Sequence, residues 1–271
     1  MAFTNSKALV IQRPDLQNPN PYLQNHDGSH EIAAIYDLST RAFEPFHITE
    51  SPFCSGGRRR GQRGVQLRHV LVSGGSSANC AGLSTPASSL SYLVSLADGS
   101  DHGPVQEEMP AARVMGDCIA LPDGTIFCCN GAAVGIAGGG PGYGNAADPV
   151  TSAAIYNPSL PVGSRWQETS DSFIPRLYHS TATLTQNAEV LIAGSEATVE
   201  YRVEVYTPPY LQTSQTRPVI VSAPAIVIPG SLFLIQYAGV PNIDRVVLSK
   251  LPGGPTFSSS LPTDYPLWVS T

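Results

Sequence analysis

Apolar and polar residues alternate in short runs, and the runs recur in the same order along the chain. The clearest copy starts at Ser180. Thr181-Ala-Thr-Leu-Thr185 alternates, Gln186-Asn187 turns the chain, Ala188-Glu-Val-Leu-Ile-Ala-Gly194 follows, and Glu200-Tyr-Arg-Val-Glu-Val-Tyr206 alternates again. Successive side chains of a strand point to opposite faces, so this pattern predicts antiparallel strands with one buried side. A second copy reads Asp117-Cys-Ile-Ala-Leu121, Pro122-Asp123-Gly124, Thr125-Ile-Phe-Cys-Cys-Asn-Gly131, with Ser152-Ala-Ala-Ile-Tyr-Asn157 as its third strand. Its Asp-Gly step is a strong hairpin signal. A partial copy ends at Gly75 in Val65-Gln-Leu-Arg-His-Val-Leu-Val-Ser-Gly-Gly, and another fragment is Leu93-Val-Ser-Leu-Ala-Asp98-Gly99. Glu31-Ile-Ala-Ala-Ile-Tyr-Asp37 matches Ser152 to Asn157 as a third strand. A polar turn and an aromatic residue follow each, Phe43 in one case and Trp166 in the other. No 3.6-residue apolar stripe lasts three turns, so the expected class is all-β.

Short antiparallel strands in units of about 40–50 residues are the signature of a kelch-type β-propeller. Three or four such units fit before residue 212. A ring of seven would need about 315 residues, so the expectation is a partial propeller over 1–212. Thr207-Pro208-Pro209-Tyr210 and Arg217-Pro218 mark a boundary. Beyond it, Val219-Ile-Val, Ala225-Ile-Val-Ile, Gly230 to Tyr237 and Arg245 to Ser249 predict a second domain over 213–271. Its short strands suggest a C-terminally incomplete immunoglobulin-like sandwich.

Composition narrows the function. Fifteen Lys and Arg against 21 Asp and Glu leave a net charge of −6, which disfavours a nucleic-acid partner. The basic cluster Arg58, Arg59, Arg60, Arg63 and Arg68 reads as a solvated loop. No run of 18 apolar residues predicts a membrane span, and the first residues do not resemble a signal peptide. Gly142-Tyr-Gly-Asn-Ala-Ala147 fits a dinucleotide fingerprint in letters only, since Asp148-Pro149 prevents a helix from opening there. The five cysteines show no zinc spacing. Cys128 and Cys129 are expected to pack in the core on opposite faces of a strand. Cys54, in Phe53-Cys54-Ser55-Gly56-Gly57, has only small residues after it, which leave its sulfur open.

Pro175-Arg-Leu-Tyr178-His179-Ser180 places a phenol and an imidazole side by side at a strand entry. Such N/O donors in tetragonal geometry suit Cu(II). In a straight strand the two would point apart, so a shared site requires a bend. Tyr178-His179, with Phe53 to Gly57, Met109-Pro-Ala-Ala-Arg-Val-Met-Gly-Asp117, Val203-Glu-Val-Tyr-Thr-Pro-Pro-Tyr210 and Arg217-Pro218, resembles the glyoxal oxidase group of copper radical oxidases, relatives of galactose oxidase.

The resemblance implies a seven-bladed propeller followed by a galactose oxidase-type early set immunoglobulin-like domain, and secretion. It also implies copper held by two Tyr and two His, with one Tyr joined to a Cys by a thioether. Copper and the tyrosyl radical together take two electrons from a small aldehyde or alcohol, and O2 becomes H2O2. By resemblance Cys54 is the cross-linking cysteine, Tyr178 the axial tyrosine and proton acceptor, and His179 an equatorial ligand. Tyr92, ahead of Asp98-Gly99, is the candidate for the cross-linked tyrosine.

Two departures stand out against that family. The stretch between Tyr92 and Met109 is short, as though blades were missing between about 92 and 109. No His follows His179, and Pro255-Thr-Phe-Ser-Ser-Ser260 has Ser260 near the position of the family's second His. The two functions to weigh are therefore a copper radical oxidase and a catalytically inactive relative that acts as a binding or interaction module.

Overall fold

The alternating runs become strands in the computed structural model. It describes residues 2–3, 7–11, 21–24, 29–50, 56–62, 65–75, 82–96, 104–140, 143–214, 216–226, 231–243, 245–248 and 267–270. Among these, the only helical segments are two short 3-10 turns, Pro21–Leu23 and Pro209–Leu211, as expected for an all-β chain.

Among the described residues, four β-meanders follow one another before residue 212. The first sheet has the order β1 (Ala2–Phe3), β2 (Lys7–Ile11), β3 (Ala33–Asp37), β4 (Phe43–Phe46). The second runs β5 (Gly56–Gln62), β6 (Val65–Ser73), β7 (Leu90–Ser95), β8 (Val105–Glu108). The third contains β9 (Asp117–Ala120) and β10 (Ile126–Cys129), then, after an inserted hairpin of β11 (Ala132–Gly140) and β12 (Tyr143–Pro149), β13 (Ala153–Tyr156) and β14 (Trp166–Thr169). The fourth has three strands, β15 (Thr181–Leu184), β16 (Val190–Ala193) and β17 (Val203–Tyr206). By compactness the chain divides into one unit of Met1–Ala182 with Ile192–Glu204 and another of Thr183–Leu191 with Val205–Thr271.

The repeated sequence unit is visible as a repeated sheet. β3 and β13 are the third strands of their sheets, and the aromatic after each begins the fourth. Tyr36 lies opposite Phe43 with ring centroids 4.7 Å apart, and Tyr156 opposite Trp166 at 5.0 Å. Such cross-strand aromatic pairs lock the register of the outer hairpin. Asp123-Gly124 joins β9 to β10, the first and second strands of the third sheet; Asp98-Gly99 lies outside the described residues, in the sequence between the third and fourth strands of the second sheet. Their 25-residue spacing therefore does not measure one repeat.

Within the first unit the sheets stack face to face. Val70 and Val72 of β6 and Tyr92 and Val94 of β7 pack with Leu9, Ile35 and Phe46 of the first sheet. Their neighbours Leu71 and Leu93 turn the other way, onto Cys118, Ile126, Cys128 and Tyr156 of the third. Period-two alternation thus makes the second sheet apolar on both faces, as a middle layer must be.

Two buried arginines repeat one device. Arg113 donates from Nη1 to the Asn130 carbonyl (2.9 Å) and from Nη2 to the Ser152 carbonyl (3.0 Å). Arg176 donates from Nη1 to Gly194 (2.7 Å) and from Nη2 to Arg202 (2.9 Å). Each ties the end of the second strand of its sheet to the residue before the third. The guanidinium fork suits this because it presents fixed parallel donors to two carbonyls.

Cys128 packs in the core as expected, and it is bonded there to Cys118, its direct partner across the β9–β10 ladder. The two cysteines are equidistant from Asp123, so the hairpin register itself brings them together. Cys129, on the opposite face, is a buried free thiol.

In the second unit β18 (Val219–Ser222) pairs with β19 (Gln236–Ala238), and β20 (Arg245–Leu248) with β21 (Leu267–Ser270). The strand expected over 230–237 is confined to its end. Leu232 is 103% exposed and Leu234 76%, so among the described residues the apolar side of that run is uncovered. Ala225 and Ile226, expected in a strand, are outside any strand, and Ile226 is exposed; Val227, Ile228, Ser249 and the stretch from Pro255 to Ser260 lie outside the described residues.

Candidate functional site

The segment Ile174 to Ser180 leads into β15 and carries the tyrosine and histidine singled out above. Arg176 is 1% exposed. Besides its two carbonyl partners it pairs through Nε with Glu204 Oε2 at 3.1 Å, and its own carbonyl accepts the Gly131 N–H at 3.0 Å. Leu177 is buried with Ala87, Val114 and Ala132. The chain reaches Tyr178 with its preceding turn held on both sides.

His179 has φ +61°, the left-handed region. That supplies the bend the sequence required: the Tyr178 and His179 rings lie on one side, stacked with centroids 3.9 Å apart and planes 24° apart. A non-glycine residue in this region is uncommon and persists only where its surroundings hold it. Here they do. Ser180 N–H closes a turn onto the Leu177 carbonyl at 3.2 Å, and Ser180 Oγ donates to Asp117 Oδ2 at 3.0 Å. Gly194, at φ +75°, lies so close that a Cβ there would sit 3.0 Å from the His179 carbonyl oxygen.

Two carboxylates flank the pair. Glu196 Oε2 receives His179 Nδ1, and the Glu196 N–H donates to the Tyr178 carbonyl at 2.9 Å. Asp117, at the start of β9, accepts from Asn130 Nδ2 at 2.8 Å as well as from Ser180. Burial pushes the Asp117 carboxyl from 3.8 up to about 6, outweighing the two hydrogen bonds that oppose the rise. Burial also pushes the Cys129 thiol well above its ordinary range, so it is not a reactive sulfur.

Tyr92 is elsewhere. It is 2% exposed in the apolar layer between the first and second sheets, and its hydroxyl accepts the Glu50 N–H at 3.1 Å. Burial raises its phenol pKa. Cys54 lies outside the described residues. The structure thus brings together Tyr178 and His179, by adjacency and a bend, and packs Tyr92 as a core residue. Sequence reasoning missed Glu196, Asp117 and both arginines. Pro175-Arg176 and Ala112-Arg113 stand at matching places in two repeats, which was a usable signal for the arginines. Glu196 had none, because its partner is 17 residues away across a loop.

The donor chemistry fits copper as two adjacent N/O positions, a phenol and an imidazole whose Nδ1 is already engaged. Among the described residues no group of three or more His, Cys, Asp or Glu is placed to hold a metal.

Repeated β-meanders, with a tyrosine–histidine turn leading into the three-stranded one, define an all-β protein. The family model described as the glyoxal oxidase N-terminus matches residues 61–218. The chain belongs to the glyoxal oxidase family. It is 37% identical over 139 residues to an aldehyde oxidase of Vitis pseudoreticulata, a match covering 47% of this chain and 26% of that protein. It is 30% identical over 240 residues to a WSC domain-containing protein of Arthroderma benhamiae, covering 77% of this chain and 24% of that protein. Among solved structures, a fungal alcohol oxidase of the AA5 family in complex with copper shares its fold, with TM-score 0.59 and 19% identity over 77% of this chain and 44% of that one. The chain spans about a quarter of the length of these two sequence relatives.

Proposed function

We propose that this chain is the Tyr–His-bearing part of a copper radical oxidase that oxidises small aldehydes or alcohols with O2. In this reading Tyr178 and His179 are two copper donors, Cys54 and Tyr92 form the thioether cofactor, and the four sheets are propeller blades followed by an immunoglobulin-like domain from about residue 213. The observation that carries it is the left-handed turn at His179, which sets the phenol and imidazole rings 3.9 Å apart on one side of the chain. Copper with a tyrosyl radical would supply two-electron oxidation coupled to reduction of O2 to H2O2. The chain's own residues would do the rest. Tyr178 accepts the substrate proton, and His179 offers one ring nitrogen while Glu196 occupies the other. Ser180 and Asp117 hold the turn that aims both rings.

The Cys118–Cys128 disulfide supports an oxidising compartment and so agrees with the secretion that the resemblance implies. No described helix is long and apolar enough to cross a membrane.

One observation favours the inactive reading. Tyr92 is enclosed in the apolar layer with its hydroxyl already bonded to Glu50, and an enclosed phenol is a poor partner for a thioether. Two measurements separate the readings. The copper-loaded chain should release peroxide from methylglyoxal or glyoxal, and His179→Ala should not. Intact mass after thiol reduction should be two hydrogens short, since a Cys54–Tyr92 thioether survives reduction whereas the Cys118–Cys128 bond does not. If peroxide and the residual mass loss are both absent, the oxidase reading fails and the binding module remains.

A further inference from the structure

We propose that Glu196 is a positioning residue that sets the tautomer of His179, keeping the proton on Nδ1 and leaving Nε2 as the free donor atom. The identity of what Nε2 binds rests on the copper reading above; the tautomer is a property of the metal-free chain.

His179 Nδ1 is bonded to Glu196 Oε2. An ionised carboxylate only accepts, so the nitrogen facing it must carry a hydrogen. Neutral imidazole has a single N–H, and Nε2 is then left with its lone pair. Of the two ring nitrogens, Nε2 is the one available to a metal.

Glu196 is itself held in place. Its N–H donates to the Tyr178 carbonyl at 2.9 Å, and its carbonyl accepts the Val199 N–H at 3.1 Å. Ser195 Oγ accepts the Leu177 N–H at 2.9 Å, and the Ser195 carbonyl accepts the Glu200 N–H at 3.0 Å. The loop carrying the carboxylate is therefore laced to the same backbone that carries the imidazole. The Tyr178 ring, stacked on the imidazole, restrains its rotation from the other side.

The pair has little structural value of its own. The His179 side chain is 59% exposed and that of Glu196 41%, and exposed ion pairs add little to folding. What a carboxylate behind an imidazole does supply is a fixed ring orientation and a more basic opposite nitrogen, and losing such a partner typically weakens metal binding about 10–100-fold. The low structural value also means that variants at 196 should fold.

The test uses the full chain labelled with 15N at histidine. In the metal-free protein at pH 8, long-range proton–nitrogen spectra should show His179 protonated at Nδ1. Glu196→Ala should lose that signature, and Glu196→Gln should keep it, because the amide oxygen still accepts. Copper(II) titration followed by electron paramagnetic resonance should show Glu196→Ala binding about 10–100-fold more weakly than wild type. A wild-type ring protonated at Nε2, or a tautomer unchanged in Glu196→Ala, overturns the proposal, and so does equal copper affinity of wild type and Glu196→Ala where His179→Ala weakens binding. If wild type and His179→Ala bind copper alike while Glu196→Ala still switches the tautomer, the copper reading falls and the positioning role stands.

Discussion

Asp117 should make the stability of this protein depend on pH in a direction opposite to that of a salt-bridged carboxylate. The perturbation is Asp117→Asn, which removes the ionisation while keeping an amide oxygen able to accept from Asn130 and Ser180. In the folded chain the carboxyl titrates at about 6, against an ordinary 3.8, with burial as the leading cause. A raised folded value means that the native state holds its proton more tightly than the unfolded chain. Below pH 3.8 both states are protonated and Asp117 costs nothing. Between 3.8 and 6 the unfolded chain ionises first, and stability falls; above 6 the full penalty is present. At about 1.4 kcal/mol per pH unit, the penalty is about 3 kcal/mol. The assay is urea unfolding of both proteins at pH 3.5 and 7.5, followed by tryptophan fluorescence. Comparing the two proteins cancels every other titrating group. The advantage of Asp117→Asn over wild type should grow by about 3 kcal/mol from the lower pH to the higher. A difference that stays flat, or shrinks, would show that Asp117 is solvated and would refute the reasoning.

Three further outcomes are expected. Removing the disulfide in Cys118→Ala/Cys128→Ala should lower unfolding stability by about 3 kcal/mol, from the entropy of a loop with sequence separation 10, with denaturant melts as the check. Arg176→Met removes the charge partner of Glu204, which keeps Ser172 Oγ as a donor, and the donor to two carbonyls, and thermal melts should report a loss of about 3 kcal/mol. Tyr92→Phe deletes the hydroxyl that accepts the Glu50 N–H and should cost about 1 kcal/mol; a much larger effect, together with loss of the reduction-resistant mass deficit, would mean that Tyr92 is cross-linked after all.

Alternation along the chain was enough to determine the all-β class and about half of the strands before residue 212, because a strand's side-chain period is local. It also determined the equivalence of β3 with β13, since an apolar third strand followed by an aromatic recurs in both. The Asp123-Gly124 hairpin was equally legible, and its register held the Cys118–Cys128 pairing for anyone who counted outward from the turn. What alternation could not supply was the sign of one dihedral. Whether Tyr178 and His179 diverge or stack depends on φ at His179, and that angle is held by Ser180, Asp117 and Gly194, contacts that reach 63 residues along the chain. The burial of Tyr92 between two sheets and the approach of Glu196 to the imidazole were likewise decided only by folding. Strand periodicity acts between nearest neighbours, whereas the surroundings of a ring nitrogen or a phenol are built from segments that meet in space alone.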